Sequence, residues 1–160
     1  MPITLVETAQ LNSRSSTATR GPDLRSIYET ADRSAATRGE IEAAVCELVV
    51  RFEREYFGRG PKQIRAHLLG DLLLVRMSGV LTQAELQLVN GSKAASGCDL
   101  VKRMRSQLIE TASPLIEKIV ENVTGVHVLS TLFDIGFSTD EEFILFTLSD
   151  APRFRDTAKR

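Results

Sequence analysis

The chain has 160 residues, of which 42% are hydrophobic and 26% charged, with a formal net charge of -1. That length suits one domain with an appendage, and the balanced charge excludes a protein built mainly to grip nucleic acid, which would carry a basic face. No apolar run approaches the roughly 18–20 residues that cross a bilayer, and "MPITLVETAQLN" lacks the basic start and apolar core of a signal peptide. The expected location is therefore the cytoplasm, where Cys46 and Cys98 would be reduced thiols.

Residues 1–36 are read as a flexible N-terminal arm. "NSRSSTATRGPD" is rich in Ser, Thr and Arg and buries too little apolar area to offset its ordering entropy. A short helix is expected within it, through Leu24, Ile27, Tyr28 and Ala31. "TRGE" at 37–40 is a capping box, with Thr37 as cap and Glu40 reaching back. Ile41, Val45, Leu48, Phe52 and Tyr56 follow at helical spacing, which predicts a helix from about residue 38 to 57 that stops at Gly58. Two alternating runs around Gly70-Asp71 predict a β-hairpin. "LTQAEL" carries a second capping box, Thr82 with Glu85, and opens a short helix that ends near Asn90. "GSKAASG" reads as a flexible joint. A third helix is expected from about Asp99 to Thr124, with Leu100, Met104, Leu108, Leu115, Ile119 and Val123 on its apolar stripe. Pro114 should kink or split it, and Gly125 closes it. A second hairpin follows, from Val126 to Asp134 and from Glu142 to Leu148. A basic tail occupies 151–160.

The order α-β-β-α-α-β-β predicts an α+β fold: a four-stranded, mostly antiparallel sheet with helices packed on one face. Strands such as "DLLLV" and "EFILFTL" are apolar on both faces, whereas a free face should be polar. The second face is therefore expected to be covered, by dimerisation or by the N-terminal arm.

Candidate chemistry is sparse. Cys46, Cys98, His67 and His127 form no close-spaced pair, so no metal site is assigned. No nucleophile motif is present, and no catalytic residue or cofactor is assigned; a non-enzymatic role is expected. "TDEE" at 139–142 reads as a solvated turn, and Lys102 and Arg105 of "KRMR" as a solvated helix face. Arg59, Lys62 and Arg65 concentrate positive charge around "FGRGPKQIR". The glycines there follow a helix and precede a strand, the wrong end of the dipole for a phosphate loop. Two readings stand for these cations: binding of an anionic ligand such as a nucleotide, or neutralisation of the carbonyl end of the helix.

"EYFGRGP", a hairpin, "GVLTQAE", and a helix ending "IVENVTG" before another hairpin together resemble the MpsC-like family. The likeness spans residues 38–150, and the domain is taken as 37–150. Gly58, Arg59, Gly60, Pro61, Leu81, Thr82 and Glu85 match its pattern, and with Gly125 they also read as caps and corners. The resemblance implies a soluble α+β domain without known catalytic residues. Its name ties it to a sodium-translocating system that generates membrane potential. The role implied is that of an accessory or regulatory protein, expected as a homodimer and associated with a membrane transport or bioenergetic protein. The alternative is a sensor of a small anionic ligand.

Overall fold

The computed structural model describes residues 36–91 and 93–155. The expected N-terminal arm with its short helix, and the last five residues of the basic tail, lie outside the described residues. Among the described residues, three helices and four strands run in the order α1 (Arg38–Phe57), β1 (Gln63–Leu69), β2 (Leu72–Ser78), α2 (Gln83–Val89), α3 (Ala94–Thr124), β3 (Val128–Gly136) and β4 (Glu141–Leu148). The sheet order is β1-β2-β4-β3, and every neighbouring pair is antiparallel. This is the expected α+β fold.

Local sequence signals explain most boundaries. Both capping boxes form, Thr37 with Glu40 and Thr82 with Glu85, which satisfies backbone N–H groups that a helix start leaves free. The two long helices end on Gly58 and Gly125, each with φ 77°. A left-handed residue is needed there to turn the chain out of the helix, and glycine adopts it without steric cost. Each helix then feeds its own hairpin, and the second strands of the two hairpins, β2 and β4, meet at the centre of the sheet.

Alternation along the strands divides the sheet into two faces. Leu73, Val75 and Met77 on β2 and Ile144, Phe146 and Leu148 on β4 are buried. They join Val45, Val49 and Phe52 of α1 and Ile109, Ile116 and Val120 of α3 in one core. The helices therefore cover that face. The other face carries Leu69, Leu72, Leu74, Leu145 and Leu132 and stays half-buried or exposed.

Three expectations are corrected. The third helix starts at Ala94, so most of the expected joint is helical. Gly97 lies in this added stretch, where a Cβ would lie 2.0 Å from the Leu88 carbonyl oxygen of α2. Glycine at that position lets the two helices approach until backbone meets backbone. Second, of the kink or split expected at Pro114, the split does not occur, because the helix continues to Thr124. Third, the buried stripe in the first half of α3 is Val101, Arg105 and Ile109, one position on from the expected one. Leu100 and Met104 are 50% and 42% exposed.

Gly97→Ala is expected to destabilise the fold by about 1–3 kcal/mol, the usual range for overpacking. Gly39→Ala, at a helical position with nothing within 4 Å, is expected to be neutral or to stabilise by about 0.4–1 kcal/mol. Urea unfolding of the two variants beside the parent checks both; equal stabilities would refute the close-approach role of Gly97.

Candidate functional site: a buried arginine among three carboxylates

The shift of the α3 stripe carries Arg105 into the core, where its exposure is 0%. A guanidinium there loses its hydration and requires partners for its five donors. Arg105 Nε donates to Glu85 Oε1 at 2.8 Å, and Nη2 donates to Glu85 Oε2 at 3.0 Å. This is a two-pronged match of the planar fork to a carboxylate. Nη1 donates to Glu142 Oε2 at 2.7 Å, and Nη2 also donates to the Val80 carbonyl at 2.9 Å. The guanidinium carbon lies 4.4 Å from the centroid of the Phe57 ring, a cation–π contact. Glu53 stands further off, 3.9 Å from Nη1.

The expectation of solvated charges at "KRMR" and "TDEE" is therefore corrected at Arg105 and Glu142, both 0% exposed. Glu142 faces inward because it alternates with Ile144, Phe146 and Leu148 on β4. Glu53 faces inward because it continues the four-residue steps of Val45 and Val49 on α1.

The three carboxyls differ in charge for physical reasons. Burial opposes ionisation of Glu85, but the bonds from Arg105 and from the Thr82 N–H outweigh it and hold Glu85 below the ordinary carboxylate range. Burial, then the neighbouring Glu142, push Glu53 up to about 9, so it is a neutral acid at pH 7. Burial raises Glu142 to about 7 against the pull of Arg105. A proton held by Glu53 also answers a bonding problem. Both Glu53 oxygens and Glu142 Oε1 are buried without a partner if all carboxyls are ionised. A protonated Glu53 becomes a donor, and the neighbouring Glu142 carboxyl is the acceptor beside it.

The cluster also fixes the loop between β2 and α2. Asp140, held at φ 49° in the β3–β4 turn, accepts from the N–H groups of Val80 and Leu81 at 3.1 Å through Oδ1. Its carbonyl accepts from Gly79 N–H at 2.9 Å. Arg59 Nη2 and Nη1 donate to the Gly79 and Leu81 carbonyls, both at 3.0 Å, and Arg105 takes the Val80 carbonyl between them. Thr82 N–H donates to Glu85 Oε2 at 2.6 Å. Every backbone polar group from Gly79 to Leu81 is thus paired with a residue from elsewhere in the chain.

Of the three cations read as an anion site, the structure gathers two and separates the third. Arg59 is directed at the loop carbonyls, and the Lys62 side chain lies against Gly79. Arg65 lies on the open face of the sheet, paired across to Arg76. An open groove of about 320 Å³ on α1 is lined by Cys46, Glu47, Val50, Arg51, Arg54 and Ile64 and includes none of the three. Gly58, Gly60 and Pro61 form the corner that aims Arg59. Among the described residues no cluster of His, Cys, Asp and Glu is arranged to hold a metal ion, and no helix is long and apolar enough to cross a membrane.

Comparison with known proteins agrees with these motifs. The profile of one family, described as "Na+-translocating membrane potential-generating system (MpsC)", matches residues 37–150. A curated relative, "Uncharacterized protein YbcI" of Bacillus subtilis (strain 168), is 32% identical over 112 residues, covering 70% of this chain and 88% of the relative. No solved structure matches.

Arg105→Met is expected to cost about 3–5 kcal/mol, because it strands buried carboxyls without their counter-charge. Chemical denaturation reads that loss, and a cost below about 1 kcal/mol would contradict the pairing. A second expectation concerns pH. Glu53 stays protonated in the folded chain up to about pH 9 but ionises above its ordinary 4.5 when unfolded. Folding therefore takes up a proton between those values, and stability from this group falls as pH rises through the window. Glu142 steepens the fall between 4.5 and about 7. Glu53→Gln is expected to flatten the slope between pH 7 and 9, where one proton contributes up to about 1.4 kcal/mol per pH unit. Urea unfolding at a series of pH values would show unchanged slopes if Glu53 were ionised in the fold.

Proposed function

We propose, because the chain belongs to the MpsC family, that it is a non-enzymatic accessory or regulatory protein of a sodium-translocating, membrane-potential-generating system, and that it acts as a dimer in the cytoplasm. One observation carries this reading beyond the family description. The strongest electrostatics in the domain are turned inward and occupied: Arg105, Glu53 and Glu142 are at most 1% exposed, and Arg59 is bound to the loop it holds. What the domain presents outward is an apolar row across the open sheet, Leu74, Leu145 and Leu132. Buried, paired charge maintains a shape, and an apolar sheet face binds another macromolecule. An anion-sensing role for Arg59, Lys62 and Arg65 draws no support from their placement.

Such a protein reaches the membrane through a subunit that spans it. Affinity capture of the tagged chain from detergent-solubilised membranes is expected to bring down an ion-transport subunit. Cells lacking the chain are expected to show a reduced sodium-dependent membrane potential by dye uptake. Capture free of any transport subunit, together with an unchanged potential, would defeat the assignment.

A further inference from the structure

The open sheet face carries rows of cross-strand neighbours. One row reads His67, Leu74, Leu145 and Leu132 from β1 to β3 through the sheet order. The next reads Arg65, Arg76, Phe143 and Asp134. Leu69 and Leu132, on the two edge strands, are 56% and 61% exposed, and Leu72, Leu74 and Leu145 between them are half-buried, so apolar side chains run across the face from edge to edge. Nothing among the described residues lies over it.

The charges of this face are arranged unevenly. Arg76 is satisfied locally, bonded to Glu141 and set 5.9 Å from the Phe143 ring. Arg65, on the β1 edge, makes no ion pair among the described residues. Asp134, on the opposite edge strand, uses Oδ1 for both Lys102 at 2.7 Å and the Ile135 N–H at 2.8 Å, and its Oδ2 carries no bond among the described residues. One uncommitted cation and one uncommitted carboxylate oxygen thus stand at opposite ends of one row.

Two symmetric ways of stacking this face on a copy of itself differ in outcome. A twofold axis across the strands, through the leucine row, reverses the order of rows. It would lay Arg65 and Arg76 over leucines of the adjoining row, Leu69 and Leu72, and bury charge on apolar surface. A twofold axis along the strands preserves the rows and exchanges the edges. Leu74 then meets the partner's Leu145, and Arg65 meets the partner's Asp134, twice by symmetry. Aligned stacking is also an ordinary way for two sheets to pack, and a twofold interface requires such self-complementarity.

We propose that the open face is the interface of a symmetric dimer, with the twofold axis along the strands and β1 of one protomer over β3 of its partner. This rests on the dimeric part of the function above and assigns it a surface and an orientation.

The test is the mass of the full chain by sedimentation velocity over a micromolar concentration series, with a charge swap. The parent is expected at twice its 17.7 kDa chain mass. Leu132→Asp is expected to weaken association at least tenfold, with thermal unfolding showing it still folded. Arg65→Asp and Asp134→Arg each set like charges against each other across the interface and are each expected to weaken it about tenfold, equivalent to about 1.4 kcal/mol. The double swap, Arg65→Asp with Asp134→Arg, is expected to restore association to within about threefold of the parent. A dimer indifferent to Leu132→Asp would overturn the surface while leaving the dimeric reading intact. A double swap no better than the single variants would overturn the orientation. A parent monomeric at every concentration, whether its face is covered by its own N-terminal residues or by another protein, would overturn both.

Discussion

A guanidinium withdrawn from water is tolerated only where its nitrogens meet fixed acceptors, and acceptors are fixed only if the elements carrying them are fixed too. Arg105 imposes that condition on this domain. Its partners come from the start of α2, the start of β4, the inner side of α1 and the loop after β2. Each element has an apolar reason to pack, but hydrophobic contact is non-directional and would tolerate sliding. The guanidinium fork does not tolerate it. It converts a layer of helices on a sheet into one register of helices on that sheet. The excess of carboxyls over cations makes a retained proton part of the same structure, since Glu53 fits beside Glu142 only as an acid.

The loop from Gly79 to Leu81 is where this constraint becomes visible as backbone. Its N–H groups are taken by Asp140 from the far hairpin and its carbonyls by Arg59 and Arg105. The two sequence blocks that carry the family resemblance, "FGRGP" and "GVLTQAE", are therefore one object in space. The corner formed by Gly58, Gly60 and Pro61 aims Arg59, and Arg59 holds the entry to the second block. Of the basic residues around that corner, Arg59 serves the chain's own carbonyls.

Features that depend on near neighbours were legible in the sequence. Both capping boxes, both helix-ending glycines and both hairpins rest on contacts within a few residues, and they form as expected. Apolar residues on both sides of the strands also pointed to the second sheet face, since periodicity reports what each face would meet. Arg105 was not legible in that way, because Glu85 and Glu142 lie 20 and 37 positions from it. Leu100-Met104-Leu108 and Val101-Arg105-Ile109 are equally good four-step series, and apolar count alone favours the first. The distant carboxyls decide for the second. A signal did exist: Glu53 and Glu142 also occupy core-facing positions of their own patterns, and three charges of both signs facing one core imply that they meet. The start of α3 was hidden for another reason. Gly97 reads as a helix breaker by propensity, but here its missing side chain is what admits the carbonyl of Leu88.

The pairing of β2 with β4 at the middle of the sheet has a consequence for synthesis. As the chain leaves the ribosome, α1 and the first hairpin emerge complete, but the inner edge of β2 has no neighbour until β4 arrives. Asp140 and Glu142, which secure the Gly79–Leu81 loop and Arg105, arrive with it. A message cut short ahead of that strand would therefore leave an apolar strand with an unpaired edge beside an arginine lacking part of its carboxylate shell. Such a product is exposed to aggregation and to proteolysis for as long as β2 lacks β4 beside it.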